Sequence, residues 1–68
     1  MSQTTTYTVT GMTCEHCVRS VREEVGEIAD VSDVQVDLPS GAVTVTSAGP
    51  IDDAAVRSAV EEAGYALA

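Results

Sequence analysis

The sequence predicts an α+β fold, an open-faced sandwich in which two helices cover one side of a four-stranded antiparallel sheet. Two observations predict it. Apolar residues switch between period 2 and period 3.6 along the chain in the order β-α-β-β-α-β. Every strand offers one apolar face and each helix one apolar stripe, so laying both helices on the same side of one sheet buries all of them at once. Right-handed crossovers in the two βαβ units place the first and third strands at the centre, in the order 4-1-3-2.

The first strand is read from Tyr7 and Val9 alternating with Thr6, Thr8 and Thr10, a pattern of β-formers with one buried face. Val18, Val21, Val25 and Ile28 then recur at i, i+3, i+7 and i+10, with Arg19, Arg22, Glu23 and Glu24 between them, which is an amphipathic helix. Gly26 falls inside that helix, at a cost of about 1 kcal/mol relative to Ala. At Ala29-Asp30-Val31 the chain leaves the helix, and Asp tolerates the left-handed conformation such an exit needs. Val34, Val36 and Leu38 alternate with polar residues, Pro39-Ser40-Gly41 supplies a turn, and Val43 and Val45 return as the second arm of a hairpin. The second helix follows Ala48-Gly49-Pro50, with Asp52 as N-cap, Asp53 at the positive helix end and Ile51 set to staple against Val56. Its stripe is Val56, Ala59, Val60 and Ala63. Gly64 suits the left-handed position after a helix, and Tyr65-Ala66-Leu67 leaves room for a short last strand. The whole is the ferredoxin-like βαββαβ arrangement.

The 68 residues make one domain, 1–68, that buries only about 60% of the surface its unfolded chain exposes. Three arginines (Arg19, Arg22, Arg57) stand against eleven acidic residues, for a net charge of −8, and there is no lysine. Such a field is a poor match for nucleic acid or an anionic membrane, whose phosphates need Lys and Arg. No apolar run approaches the ~20 residues that span a bilayer, and no signal-peptide core precedes Tyr7. A cytoplasmic protein, where thiols stay reduced, is expected. Met1 close to the first strand, and an end just after the fourth, favour an independent protein over an excised domain.

The chemistry lies in the two cysteines, Cys14 and Cys17, placed between the first strand and the first helix. Thiolates select Cu(I), Zn(II) and other soft or borderline ions, and the i, i+3 spacing lets one cysteine on the loop and one in the first helical turn face the same point. A structural zinc site wants four ligands, and the chain offers only His16 nearby as a third. A two-sulfur site therefore points to Cu(I), an ion content with two ligands, and leaves it open to another protein's thiol. The helix N-terminus favours the thiolates and the net −1 unit they form with Cu(I), while Glu15 opposes. The plainer alternative is a pair of small buried hydrophobes. His16 has three readings: a third ligand, a tuner of the thiols from outside the coordination shell, or a solvated first-turn residue.

The run Gly11-Met12-Thr13-Cys14-Glu15-His16-Cys17 resembles the metal-binding loop of the heavy-metal-associated domain family, as found in bacterial cytosolic copper chaperones, and the similarity extends from Tyr7 to Ala63-Gly64-Tyr65. The resemblance implies the same ferredoxin-like fold, although relatives often place Gly where this chain has Ala29-Asp30-Val31. It implies that Met12 points into the core and holds the loop down rather than ligating copper, and that His16 acts mainly from outside the coordination shell. It implies a metal-discriminating role for Thr13, because zinc-pump relatives often place Asp there. The role read directly for Thr13 is an N-cap of the first helix, and both can hold together. Tyr65 resembles the tyrosine that bacterial chaperones place beside the metal, and can also be an ordinary strand aromatic with its polar tip at the surface.

Three function classes compete. The first is a copper chaperone that passes Cu(I) to the metal-binding domain of a copper-exporting P-type ATPase or to a copper-responsive regulator, with a copper-bridged homodimer as a further possibility. The second is a soft-metal domain, for Hg or Zn, of such an ATPase or of a mercury carrier, though a periplasmic carrier would need a signal peptide. The third is a small thiol redox protein, disfavoured because a thioredoxin fold needs more elements than this order supplies. No Gly-rich phosphate loop and no catalytic triad is present, so an enzyme is not expected.

Overall fold

The computed structural model describes residues 2–68. Six elements follow in the predicted order: β1 (Gln3–Thr10), α1 (Glu15–Gly26), β2 (Val31–Asp37), β3 (Ala42–Ser47), α2 (Asp53–Glu62) and β4 (Ala66–Leu67). The strands form one sheet in the order β2-β3-β1-β4, the predicted 4-1-3-2 read from its other edge. All its pairings are antiparallel. Among the described residues no helix is long and apolar enough to cross a membrane.

Strand alternation sorts the sheet into two faces. Tyr7 pairs with Val43 and Thr5 with Val45, while Val34 and Val36 reach the same two valines from the other side. These residues face the helices, and the intervening Thr4, Thr6, Thr44 and Gln35 lie on the open face, where the Thr6 and Thr44 hydroxyls stand 3.4 Å apart. The core is Val9, Val21, Val25, Val34, Val43, Val45, Val56, Ala59 and Val60, so it is made almost wholly of one β-branched residue type. Branching at Cβ stiffens each side chain, and a valine core orders at low entropic cost. Ser47 is the buried polar exception, and its hydroxyl donates to the Gly49 carbonyl at 2.6 Å.

The helix ends follow from single residues. Asp52 caps α2, accepting from the Ala54 N–H at 3.0 Å, and Ile51 is half-buried against the cluster that holds Val56. At the other end Gly64 has φ +96. Its N–H donates to the Glu61 carbonyl at 2.9 Å and the Tyr65 N–H to the Val60 carbonyl at 3.0 Å. That pair of bonds is a Schellman motif, and it sends Tyr65 back towards the sheet. Two details of α1 differ from the sequence reading. The helix stops at Gly26, so Gly26 is its last residue rather than an interior one, and Ile28 packs against the core from the turn beyond. Asp30, at φ 73, makes the left-handed exit expected of it.

Two glycines test the backbone argument in opposite directions. Gly41 closes the β2–β3 hairpin at φ +75, and a Cβ there would stand 2.6 Å from the Val9 carbonyl oxygen. Gly41→Ala should therefore cost more than the roughly 1–2 kcal/mol of a left-handed alanine alone. Nothing lies within 4 Å of a Cβ placed on Gly26, whose φ is not left-handed. Gly26→Ala should stabilise the domain by about 0.4–1 kcal/mol, because it restricts the unfolded chain without strain in the fold. Urea unfolding of the two variants checks both signs.

Candidate metal centre

The loop between β1 and α1 is held from three sides. Val9 in β1 pairs with Leu67, and its N–H donates to the Gly41 carbonyl at 2.8 Å, so the strand end is fixed by both neighbours. Gly11 turns the chain at φ +92, and a Cβ there would come 3.3 Å from Cδ1 of Tyr65, so the tyrosine ring lies against the glycine. Met12 is half-buried against the core and anchors the loop from below.

Cys14 occupies the N-cap of α1 in an extended conformation, φ −156 and ψ 174. Its carbonyl accepts from the N–H groups of Cys17 at 3.0 Å and Val18 at 3.3 Å. Thr13 therefore does not cap the helix, and no side chain does. One residue earlier than the cap, its hydroxyl stands 3.9 Å from Cys17 Sγ instead. Both cysteines are free, Cys14 exposed and Cys17 half-buried, with their sulfurs 3.6 Å apart.

The two thiols differ in their surroundings. The Cys17 thiol is pulled down to about 6, chiefly by a backbone hydrogen bond from Thr13 and next by the Tyr65 hydroxyl. The backbone and thiol of Cys14 act in the same direction, and desolvation opposes them. The reciprocal effect is visible on Tyr65, whose hydroxyl titrates above its ordinary range first because of Cys17. Hydrogen bonds to the charged form, rather than burial, thus hold Cys17 as a thiolate at neutral pH.

The structure gathers Cys14, Cys17, Thr13 and Tyr65 at one point and sets Met12 beneath them. His16 is exposed on the first turn of α1, where its backbone carbonyl accepts from the Ser20 hydroxyl at 3.1 Å. Among the described residues no three of His, Cys, Asp and Glu come together as a metal-holding group. The residue that sequence reasoning passed over is Gly11. The available signal was a glycine directly after a strand, where a turn with positive φ is needed.

The heavy-metal-associated domain model matches residues 6–66. The chain belongs to the heavy-metal-associated domain family. It is 41% identical over 64 residues to the copper chaperone CopZ of Bacillus subtilis, covering 93% of each chain. It is 42% identical over 59 residues to the COP-associated protein of Helicobacter felis, covering 87% of this chain and 89% of that one. Among solved structures, a CopZ metallochaperone superposes with a TM-score of 0.90 at 27% identity, covering 97% of this chain and all of the other. The N-terminal domain of ZntA in its Zn(II) form superposes with a TM-score of 0.83 at 35% identity, covering 96% and 88%. Heavy-metal-associated domains of this fold thus include both copper and zinc binders among the similar proteins.

The donor arrangement makes a direct prediction. Alkylation of Cys17 by iodoacetamide, followed by mass spectrometry, should titrate with a midpoint near 6. Tyr65→Phe removes a donor to the thiolate and should move that midpoint upward. An unchanged midpoint would remove Tyr65 from the site.

Proposed function

We propose that this domain is a cytoplasmic copper chaperone that binds one Cu(I) through Cys14 and Cys17 and hands it on by ligand exchange. The observation that carries the reading is the pair of sulfurs 3.6 Å apart at a strand–helix junction, with no third His, Cys, Asp or Glu gathered beside them among the described residues. Metal–sulfur bonds of about 2.3 Å bridge that gap readily. As it stands the pair would subtend roughly 100° at such an ion. A two-coordinate ion prefers a wider angle, and the exposed Cys14 side chain, at the edge of the helix, has room to rotate outward.

Handover follows from the low coordination number. An incoming thiolate takes the open side of the ion, a three-sulfur intermediate forms, and the two cysteines of this chain leave one at a time. The step exchanges like ligands for like, so it needs no nucleotide and no catalytic base, and the domain is a carrier rather than an enzyme. The metal-binding domains of copper-transporting ATPases are relatives of this chain, including one of Rhizobium meliloti that is 39% identical over 62 residues. A domain of that kind, or a copper-responsive regulator, is the partner we assign, with a copper-bridged pair of this chain as a further state.

A zinc reading is favoured by the near-tetrahedral angle of the apo sulfurs. Against it, the site offers two thiolates where tetrahedral zinc wants four ligands, and Thr13 brings no carboxylate. His16 acts in this proposal from outside the coordination shell, and Thr13 and Tyr65 as donors that settle the Cys17 thiolate.

Anaerobic Cu(I) titration against a competing chelator, with Zn(II) and Hg(II) run alongside, tests the reading. Cys14→Ser and Cys17→Ser should each abolish tight Cu(I) binding while circular dichroism shows the fold intact, because neither sulfur belongs to the core. Tight stoichiometric binding by either variant would reject the two-thiolate site. His16→Ala should still bind one Cu(I), and loss of binding would promote the histidine to a ligand.

A further inference from the structure

We propose that this chain pairs with a second copy of itself along the free half of β1, joining the two four-stranded sheets edge to edge. On one side β1 runs beside β3 from Gln3 to Thr8. On the other, β4 pairs only with Val9 and Thr10, and the Ala68 N–H donates to the Thr8 carbonyl at 2.8 Å. Among the described residues no strand lies beside Gln3–Tyr7 on that side. Backbone groups alternate between the two edges along an antiparallel strand. Val9 donates its N–H to Gly41 on the β3 side and Thr8 accepts on the β4 side, so Thr4 and Thr6 turn their N–H and C=O groups to the open edge.

The chemistry of that edge selects its occupant. Proteins blunt an exposed sheet edge with charges and bulges. β2, at the far side of the sheet, is blunted in both ways: Asp33 and Asp37 are exposed on it, and its register shifts between Val31 and Asp33. The open stretch of β1, Gln3-Thr4-Thr5-Thr6-Tyr7, carries no charge, no proline and no register shift, in a chain whose net charge is −8. Two copies therefore repel one another over most approaches and least along this neutral strand. Beside it lies a groove of about 410 Å³ between α2 and β1, lined by Tyr7, Asp53, Arg57 and Leu67. A two-fold junction sets each patch against itself, and this one is self-complementary because each copy offers both a cation, Arg57, and a carboxylate, Asp53. With the strands antiparallel and Thr5 on the axis, Thr4 and Thr6 of one copy exchange backbone hydrogen bonds with Thr6 and Thr4 of the other. Threonine then stands opposite threonine on the open face of the joined sheet. The metal loop leaves the other end of β1, after Thr10, so the two loops point apart and the junction covers neither.

Sedimentation velocity on the reduced, metal-free protein tests this at concentrations rising to about 1 mM, because a junction of so few residues belongs with the small, weak interfaces. A dimer should form, and should form equally well in the variant with Cys14→Ser and Cys17→Ser, which separates it from a copper-bridged pair. Thr4→Glu with Thr6→Glu sets carboxylates opposite one another at both cross-strand pairs and should weaken the dimer about tenfold. Thr4→Lys with Thr6→Glu sets opposite charges there, leaves the net charge of the chain unchanged and should keep it. Hydrogen exchange locates the junction, since the Thr4 and Thr6 amides should gain protection as concentration rises. A monomer at every concentration would overturn the proposal, as would a dimer that requires Cu(I) or one that the two charge variants affect alike. Thr4 and Thr6 amides already protected in the dilute monomer would place another segment on that edge and overturn it too.

Discussion

The position of β1 in the middle of the sheet is the constraint on which the rest of the molecule depends. It pairs with β3 along most of its length and with β4 at its last two residues. Its final residues are therefore held from both sides, and Thr10 also donates from its hydroxyl to the Ala66 carbonyl at 3.2 Å. A loop that starts from a free strand end would sample many positions. This one starts from a point fixed by the ladder, and Gly11 and Met12 convert that fixed point into a fixed loop. The same strand is tied to the second helix at mid-length, where the Tyr7 hydroxyl donates to Asp53 at 2.6 Å. Burial and then that carboxylate push the Tyr7 phenol up to about 12, so the phenol keeps the proton it donates across the physiological range.

Tyr65 shows how the second half of the repeat serves the first. The Schellman turn at Gly64 reverses the chain after α2 and delivers the ring against Gly11 and the hydroxyl towards Cys17. A helix terminus far along the sequence thereby adds to the lowering of a loop thiol that the Thr13 backbone begins. The sign of that effect matters for pH. A thiol whose folded value lies near 6 rather than in its ordinary range is mostly charged at pH 7, so a metal captured there would displace little proton from Cys17. The same shift favours the folded state fully above the unfolded thiol's range, and that contribution fades as pH falls towards 6.

Most of the fold was legible because valine spacing records it. Val18, Val21 and Val25 cannot share a face unless the chain is helical, and Val43 and Val45 cannot unless it is extended. Asp52 and Gly64 were readable for the same reason: each is a residue type chosen by local backbone geometry. The misreadings fall where local rules compete. Thr13 has the chemistry of an N-cap, but the helix starts one residue later, at a cysteine whose side chain is directed to its partner sulfur. Ile28 continues the apolar spacing past the end of the helix because a turn following the last helical residue keeps nearly the same phase. In the candidate site the cysteine pair stood out by spacing, whereas the donors to Cys17 did not. A backbone N–H has no residue-type signature, and the approach of Tyr65 depends on contacts across more than fifty positions of sequence.

Neither cysteine belongs to the buried core, and this separates the stability of the domain from whatever the two sulfurs bind. In small domains that fold around a structural metal, the binding free energy is folding free energy, and release of the ion means unfolding. Here eight valines and one alanine make a core that is complete without the loop, and Met12 and Tyr65 pack against its margin. On the proposed reading the loop loses an ion and remains the same loop. A site of that kind is under no pressure to bind as tightly as a fold requires. In the proposed carrier role its affinity is free to match that of an acceptor with the same ligands, and transfer between matched sites is then governed by docking.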